Sequence, residues 1–216
     1  MVTHHQPVSS VVVALTILSS VVTFDSSALQ QTDSITRRAT RCPETGPVSI
    51  SPEAVGPLPV TAPVRDLLRL CPGVTTMRET EEHAYPAAEF HISGLTILAS
   101  QTIEADSLRL DEPADTWEVK GTGGVLPMGV PLTSNWAELR RTYGPAIVGP
   151  EFDDVWVMFC KFPKLYLYLN ADRETVIPFD DRAVTRIPGN SRIVRIIVSL
   201  SPFGRSGCAG LEDSPH

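Results

Sequence analysis

Alternating apolar and aromatic positions mark two adjacent stretches in the second half of the chain. Val155 to Cys160 and Leu165 to Asn170 each have the pattern of a strand, and the Phe-Pro-Lys sequence at 162–164 is typical of a turn. The two stretches therefore predict a β-hairpin. Side chains alternate along a strand, so one face of this hairpin is mainly aliphatic. The other face carries Trp156, Met158, Cys160, Tyr166 and Tyr168.

A short amphipathic helix is predicted just before this hairpin. Apolar residues recur at helical spacing between Asn135 and Tyr143. Asn135 and Glu138 have the spacing of a capping box, and Gly144-Pro145 ends the helix. We expect the aliphatic face of the hairpin to pack on this helix.

The first half of the chain shows a similar succession. Gly56-Pro57-Leu58-Pro59 is similar to Gly124-Val125-Leu126-Pro127, and a second helix is predicted between Pro63 and Pro72. Further strands are predicted at Glu89–Ser93, Leu95–Ser100, Thr116–Lys120 and Ser191–Leu200. The pattern predicts an α+β fold of two successive units, each a short helix followed by antiparallel strands. Chance recurrence of two Leu-Pro pairs is the alternative.

These patterns divide the chain into five parts. We predict a signal peptide or N-terminal anchor at 1–28, an irregular segment at 29–55, the two units at 56–123 and 124–200, and a tail at 201–216. The glycines between 121 and 124 form the joint between the units. They lack the Gly-x-Gly-x-x-Gly spacing of a nucleotide-binding loop.

The N-terminal run Val11–Val22 is apolar except for Thr16 and two serines. It is too short to cross a bilayer, which takes about 20 residues. Small residues at Ser26 and Ala28 fit a cleavage site, so we predict a secretory signal peptide and a secreted or periplasmic protein. The first 36 residues contain no Lys or Arg, which departs from that pattern. An uncleaved anchor, or an N-terminal helix or strand of a cytosolic protein, is the alternative.

The overall composition limits the partners. The 216 residues are 42% hydrophobic and 20% charged, which is enough apolar material for a core and excludes a wholly disordered chain. The formal charge is −7, and the basic residues are scattered, whereas nucleic-acid binding needs clustered Lys and Arg. We therefore expect no nucleic-acid partner, and membrane contact only through the N-terminal segment if it is uncleaved.

Four cysteines, Cys42, Cys71, Cys160 and Cys208, predict two disulfides in an exported chain. None of them has the Cys-x-x-Cys spacing, so we expect no metal, and no cofactor is predicted. The residues leave three connectivities open. Cys160 lies in a predicted strand and could instead be a buried apolar side chain.

No motif in the sequence specifies a reaction. There is no His-Glu-x-x-His, Gly-x-Ser-x-Gly or Walker loop. His83 and His91 do not share a helical face, and the pairs Asp153-Asp154 and Asp180-Asp181 lie beside turn signals, as solvated residues do. We therefore expect a non-catalytic protein. A hydrolase whose dispersed site gathers Asp153, Asp180 or His91 is the alternative.

The aromatic face of the hairpin is the candidate binding surface. It either packs against the other unit or a tail, or it is open and takes a partner, because Trp, Tyr and Met are enriched where proteins bind. The counterpart segment Glu89–Ser100 contains no Trp or Tyr, so the aromatic residues are special to the second unit. The predicted binding residues are Trp156, Met158, Tyr166 and Tyr168, bordered by Lys161 and Lys164 at the hairpin tip.

The second unit opens with Trp-Ala-Glu-Leu-Arg-Arg-Thr-Tyr-Gly-Pro at 136–145 and continues into strands. With the similar first unit, residues 56–200 resemble the secreted β-lactamase-inhibitor proteins and the SmpA/OmlA class of small envelope domains. The resemblance implies a non-catalytic role, either binding a protein through the sheet face or serving in envelope assembly. It also implies one disulfide in each unit, pairing Cys42 with Cys71 and Cys160 with Cys208.

Two features depart from that class. Cys42 and Cys208 lie outside the matched units, and the lipid-attachment site of the SmpA/OmlA domains is missing. We expect an exported, disulfide-stabilised binding protein with a protein partner. A purely structural envelope protein is a further alternative.

Overall fold

An eight-stranded antiparallel sheet is the main element of the structure. The computed structural model describes residues 42, 46–79, 83–102, 107–151, 153–178, 180, 182–201 and 208. The strands are β1 Val48–Ser49, β2 Ala54–Val55, β3 Leu58–Pro59, β4 Gly73–Glu79, β5 Ala84–Ile92, β6 Leu95–Ser100, β7 Thr116–Gly121, β8 Gly124–Leu126, β9 Val130–Pro131, β10 Ala146–Glu151, β11 Asp154–Phe159, β12 Leu165–Leu169 and β13 Ile193–Ser199. The α-helices are α1 Val64–Leu70, α2 Trp136–Tyr143 and α3 Ala183–Arg186.

The strand order in the large sheet is β10-β11-β12-β13-β7-β6-β5-β4, antiparallel throughout. Each half of the chain contributes four neighbouring strands, and the halves meet where β7 pairs with β13. The short strands form two small sheets, β1-β8-β9 and β2-β3. The described part of the chain is thus mostly β-sheet with three short α-helices, a fold of the α+β or mostly-β class.

Helix α2 forms where the sequence predicts it. The Asn135 side chain accepts a hydrogen bond from the Glu138 N–H at 3.0 Å, and Glu138 Oε2 accepts one from the Asn135 N–H at 3.0 Å. This capping box satisfies N–H groups that a helix start would otherwise leave unpaired. The C-cap is Gly144, with φ of +81°. The buried side chains of α2 are Trp136, Leu139 and Tyr143.

The hydrophobic core lies on one face of the large sheet. The buried residues of α1, α2 and α3 all belong to this core, together with the aliphatic face of the predicted hairpin. In that hairpin Val155 pairs with Leu169 and Val157 with Leu167. The described helices therefore cover this face, and the hairpin presents its aromatic residues to the other one.

The glycines at 121–124 permit a close backbone approach. A Cβ on Gly123 would lie 1.9 Å from the Ser93 carbonyl oxygen, and one on Gly121 would lie 2.3 Å from the Gly94 oxygen. The β5–β6 turn therefore rests directly on this segment, which only glycine permits. The segment also leads from β7 into β8, so its composition has a packing reason in addition to its place between the two halves.

Two disulfides connect Cys42 with Cys71 and Cys160 with Cys208. This is the pairing that the resemblance implies. It suggests an oxidising, extracytoplasmic compartment, because such bonds form and persist there. The described residues do not include the predicted signal peptide at 1–28. They also leave out residues 29–41 and 43–45 of the predicted irregular segment and nearly all of the tail at 201–216. Within the described ranges, no helix has the length and apolar character needed to span a bilayer.

Candidate functional site

The face of the large sheet opposite the helices carries an aromatic cluster and a network of charges. We define the aromatic cluster as Met158, Tyr166, Tyr168 and Ile197, with Ile147 and Trp156 at its margin. It is separate from the main core. In the β11–β12 pair Trp156 lies opposite Tyr168 and Met158 opposite Tyr166, so the hairpin brings together the four predicted aromatic-face residues.

These four residues differ in exposure. Met158, Tyr166 and Tyr168 are buried, whereas Trp156 is half-buried. The rings of Trp156 and Tyr166 meet edge to face with centroids 6.1 Å apart. Of the predicted bordering lysines, Lys161 is exposed and Lys164 half-buried at the hairpin turn. Trp156 is thus the aromatic side chain of this set that solvent or a partner reaches most easily.

Cys208 packs against the aromatic cluster from outside the sheet. Its disulfide to Cys160, at the end of β11, fixes it there. Of the apolar residues that the structure describes around the cluster, Cys208 is the one that does not come from the sheet itself. Part of the burial of the cluster therefore depends on this cross-link.

The absence of a side chain at Gly149 on β10 leaves room for the Trp156 ring. The two residues are register partners, and a Cβ on Gly149 would lie 2.6 Å from Cζ2 of the indole. The Trp156 ring therefore covers the backbone of the neighbouring strand. A larger side chain at 149 would displace the ring, so this glycine positions an aromatic residue of the candidate site.

Tyr168 is the centre of a polar network beside Trp156. Its hydroxyl donates to Glu151 Oε2 at 2.6 Å, and the Arg195 guanidinium lies 3.9 Å above its ring. Arg195 Nη2 in turn donates to Asp154 Oδ2 at 2.8 Å. Burial raises the pKa of Tyr168 well above its ordinary value, and the hydrogen bond to Glu151 and the charge of Glu151 raise it further. The phenol therefore remains a neutral hydrogen-bond donor.

Glu118 is a buried carboxylate on β7, with 4% of its surface exposed. Arg78 Nε donates to its Oε2 at 2.9 Å, and the Lys120 ammonium pairs with its Oε1. Burial alone would raise the pKa of Glu118, but the hydrogen bonds and charges of Lys120 and Arg78 outweigh it and hold the pKa below its ordinary value. Glu118 is thus an ionised group held by two cations.

The position of Arg78 shows that this face is concave. Arg78 lies on β4, three strands away from Glu118 on β7. Strands lie about 4.8 Å apart, so a flat sheet would separate β4 from β7 by roughly 14 Å. Yet Arg78 Nε donates a hydrogen bond to Glu118 Oε2 at 2.9 Å. The sheet therefore curls around this guanidinium.

The remaining sequence-predicted candidates lie apart from this network. His91 is exposed on β5 and pairs with Glu89 at 2.8 Å, Asp153 is exposed beside β11, and Asp180 binds Arg186 at 2.9 Å. Among the hydrogen bonds between described residues, none joins any two of these three. Within the described ranges, no group of three or more His, Cys, Asp or Glu side chains is placed to hold a metal ion.

Sequence reasoning missed Arg78, Glu118 and Arg195. A signal was present for two of them, because Glu118 and Arg195 are charged residues inside otherwise apolar strands, where a charge needs a partner. Arg78 gave no such signal, since it stands among polar residues in a strand that was not predicted.

The chain has a distant structural similarity to the crystal structure of the uncharacterized protein yfeY from Escherichia coli. The likeness covers 72% of this chain and 99% of that chain, with 14% sequence identity and a TM-score of 0.45. No protein-family model matches the chain, and no curated protein matches it.

Proposed function

We propose that this chain is an exported, non-catalytic binding protein that takes a protein partner on the concave face of its large sheet. The observation that carries the proposal is the curvature of that face around Arg78, opposite the face that the helices cover. A concave sheet complements a convex protein surface. Trp, Tyr and Arg are also the residues enriched at the centres of protein interfaces.

Within this proposal the predicted aromatic residues have two roles. Half-buried Trp156 contacts the partner directly, whereas buried Met158, Tyr166 and Tyr168 form the support beneath it. Lys161 and Lys164, at the hairpin turn, border the surface.

The charge network supports binding because contacts within the chain hold its two arginines in place before a partner binds. Arg78 is held by Glu118, and Arg195 by Asp154 and the ring of Tyr168. Side chains fixed before association lose less rotamer freedom when a partner arrives. Exposed Lys120 adds a charge at the surface that affects the rate and orientation of encounter.

The finer compartment and the organisation of the chain also belong to this proposal. We infer secretion, or retention in a periplasm, after removal of a signal peptide at 1–28. The two disulfides and the apolar N-terminal run support it. We also infer two repeated units at 56–123 and 124–200, because a short helix followed by four antiparallel strands occurs in each half.

The test is affinity capture from the secreted or periplasmic fraction of the source organism, with the disulfide-bonded chain as bait. We expect Trp156→Ser and Lys120→Ala to reduce recovery of the partner at least tenfold each. Leu110→Ser and Arg141→Ala are matched controls, because both residues are exposed and lie with α1 and α2 on the other side of the sheet. They should leave recovery unchanged.

Thermal unfolding of each variant separates lost contacts from lost folding. A melting temperature close to that of the parent chain, together with lost capture, assigns the effect to the concave face. The proposal is refuted if Trp156→Ser and Lys120→Ala both recover as much partner as the parent chain.

A further inference from the structure

The edge strand β4 carries Arg78 of the concave face, and its outward backbone edge offers a second surface that goes beyond the proposed function. It is the last strand at one end of the large sheet, and β5 is its one partner among the described strands. Its pairing with β5 is continuous from Gly73 opposite Phe90 to Glu79 opposite Ala84. A long, regular edge strand has backbone hydrogen-bonding groups available to another chain.

Pro86 shows which backbone groups of β4 point outward. The Pro86 carbonyl accepts from the Gln101 N–H at 3.1 Å, so the backbone of Pro86 faces β6. Its register partner Met77 is consequently in a pair without hydrogen bonds, and the N–H and C=O of Met77 point away from β5. Because these directions alternate along a strand, the groups of Gly73, Thr75 and Glu79 also point outward.

The two edges of the sheet differ in their protection. At the other edge, β10 contains Gly149 and Pro150, and a proline cannot donate a hydrogen bond to an added strand. Strand β4 contains no proline, lysine or bulge. It also exposes Val74 and Met77, and Leu70 at the end of α1 is exposed beside its start. An open, partly apolar edge of this kind favours association.

We propose that β4 pairs antiparallel with β4 of a second copy of this chain, about a two-fold axis at Thr76. In that register Thr75 lies opposite Met77 and Gly73 opposite Glu79. The outward N–H and C=O groups of the two strands therefore face each other as hydrogen-bonded pairs. Val74 lies opposite Arg78, and no like charges face each other. The two eight-stranded sheets become one.

The self-complementarity of β4 favours a second copy over an unrelated peptide. One two-fold operation aligns its outward groups with themselves, which is the property of an isologous dimer interface. A single strand pair buries less than the roughly 800 Å² per partner of a standard interface. The dimer is therefore reversible and depends on protein concentration.

Sedimentation of the disulfide-bonded chain over a range of concentrations tests the proposal. Thr75→Pro removes an outward N–H without removing a bond to β5, and Val74→Lys places a charge at the seam. Each should raise the dimer dissociation constant at least tenfold. Val194→Lys is the matched control, since Val194 is 45% exposed against 48% for Val74 and lies in the middle of the sheet, on β13. It should dissociate as the parent chain does.

A cysteine cross-link tests the register. At the two-fold axis the Thr76 residues form a pair without hydrogen bonds, with Cα atoms about 4.5 Å apart, within the range that a disulfide spans. Thr76→Cys should therefore give a covalent dimer on oxidation. Val74→Cys should not, because Val74 lies opposite Arg78. The proposal is overturned if the chain remains monomeric at every concentration, or if Val74→Lys leaves the dimer dissociation constant unchanged. Equal cross-linking of Val74→Cys and Thr76→Cys would also overturn it.

Discussion

Replacing Arg78 by Met tests how the concave face is stabilised. Methionine keeps much of the apolar stem of arginine but removes the guanidinium, so Glu118 loses one of its two cations. Removing one partner of a buried ion pair costs about 3–5 kcal/mol. Lys120 remains, although its exposed ammonium contributes less, so we expect a loss of about 2–3 kcal/mol at neutral pH. For a chain of this size that is roughly 4–12 °C in melting temperature.

The cost of Arg78→Met should depend on pH. In the parent chain the pKa of Glu118 is lowered below its ordinary value of 4.5. Ionised Glu118 therefore contributes stability above that value, and this contribution is lost as the pH falls below it. Without Arg78, only Lys120 counteracts the effect of burial, so the pKa of Glu118 rises. The carboxyl then takes up a proton at a higher pH. The difference between variant and parent should thus be largest near neutral pH and shrink toward about pH 4.

Urea unfolding followed by tryptophan fluorescence measures this difference at both pH values. Glu118→Gln and the double variant complete a mutant cycle, in which Arg78→Met should cost less when residue 118 is already uncharged. The reasoning is refuted if Arg78→Met costs under about 0.5 kcal/mol at neutral pH, or if its cost is the same at both pH values.

Two further changes test the local structure. Asn135→Ala removes the capping bond to the Glu138 N–H and should cost about 1 kcal/mol in urea unfolding, and Asn135→Ser should recover most of it. Gly123→Ala places a methyl group against the Ser93 carbonyl and should lower the free energy of unfolding by about 1–3 kcal/mol, the usual cost of overpacking. Gly189→Ala is the control and should be near neutral, because its added Cβ would lie 3.4 Å from its nearest neighbour. Equal melting temperatures for these two alanine variants would contradict the close approach at 123.

The regular elements of the second half were predictable because their signals are local. The capping residues and apolar spacing of α2, and the alternation in β11 and β12, each fit within one short window of sequence. Strands β4 and β10 were missed for a physical reason. Both are edge strands, so β4 alternates weakly and exposes much of its surface, while β10 contains Gly149-Pro150, which is typical of a turn.

The candidate site was predictable only in part. The pairs Trp156 with Tyr168 and Met158 with Tyr166 follow from the alternation within one hairpin, and the structure has them in register. The burial of three of these side chains and the Arg78–Glu118 contact depend on how the sheet curls. Arg78 and Glu118 are 40 positions apart, and no sequence pattern specifies such a meeting.

The pairing of β7 with β13 also constrains when the molecule can fold. Val119 and Ile196 are partners at the middle of the sheet, although 77 residues separate them along the chain. Contacts this distant in sequence form late, because a long loop must close before they are gained. As the chain emerges, β7 therefore remains an unpaired edge until β13, the last described strand, has arrived. We expect folding to follow synthesis of nearly the whole chain, and truncations ahead of Ile193 to aggregate through β7.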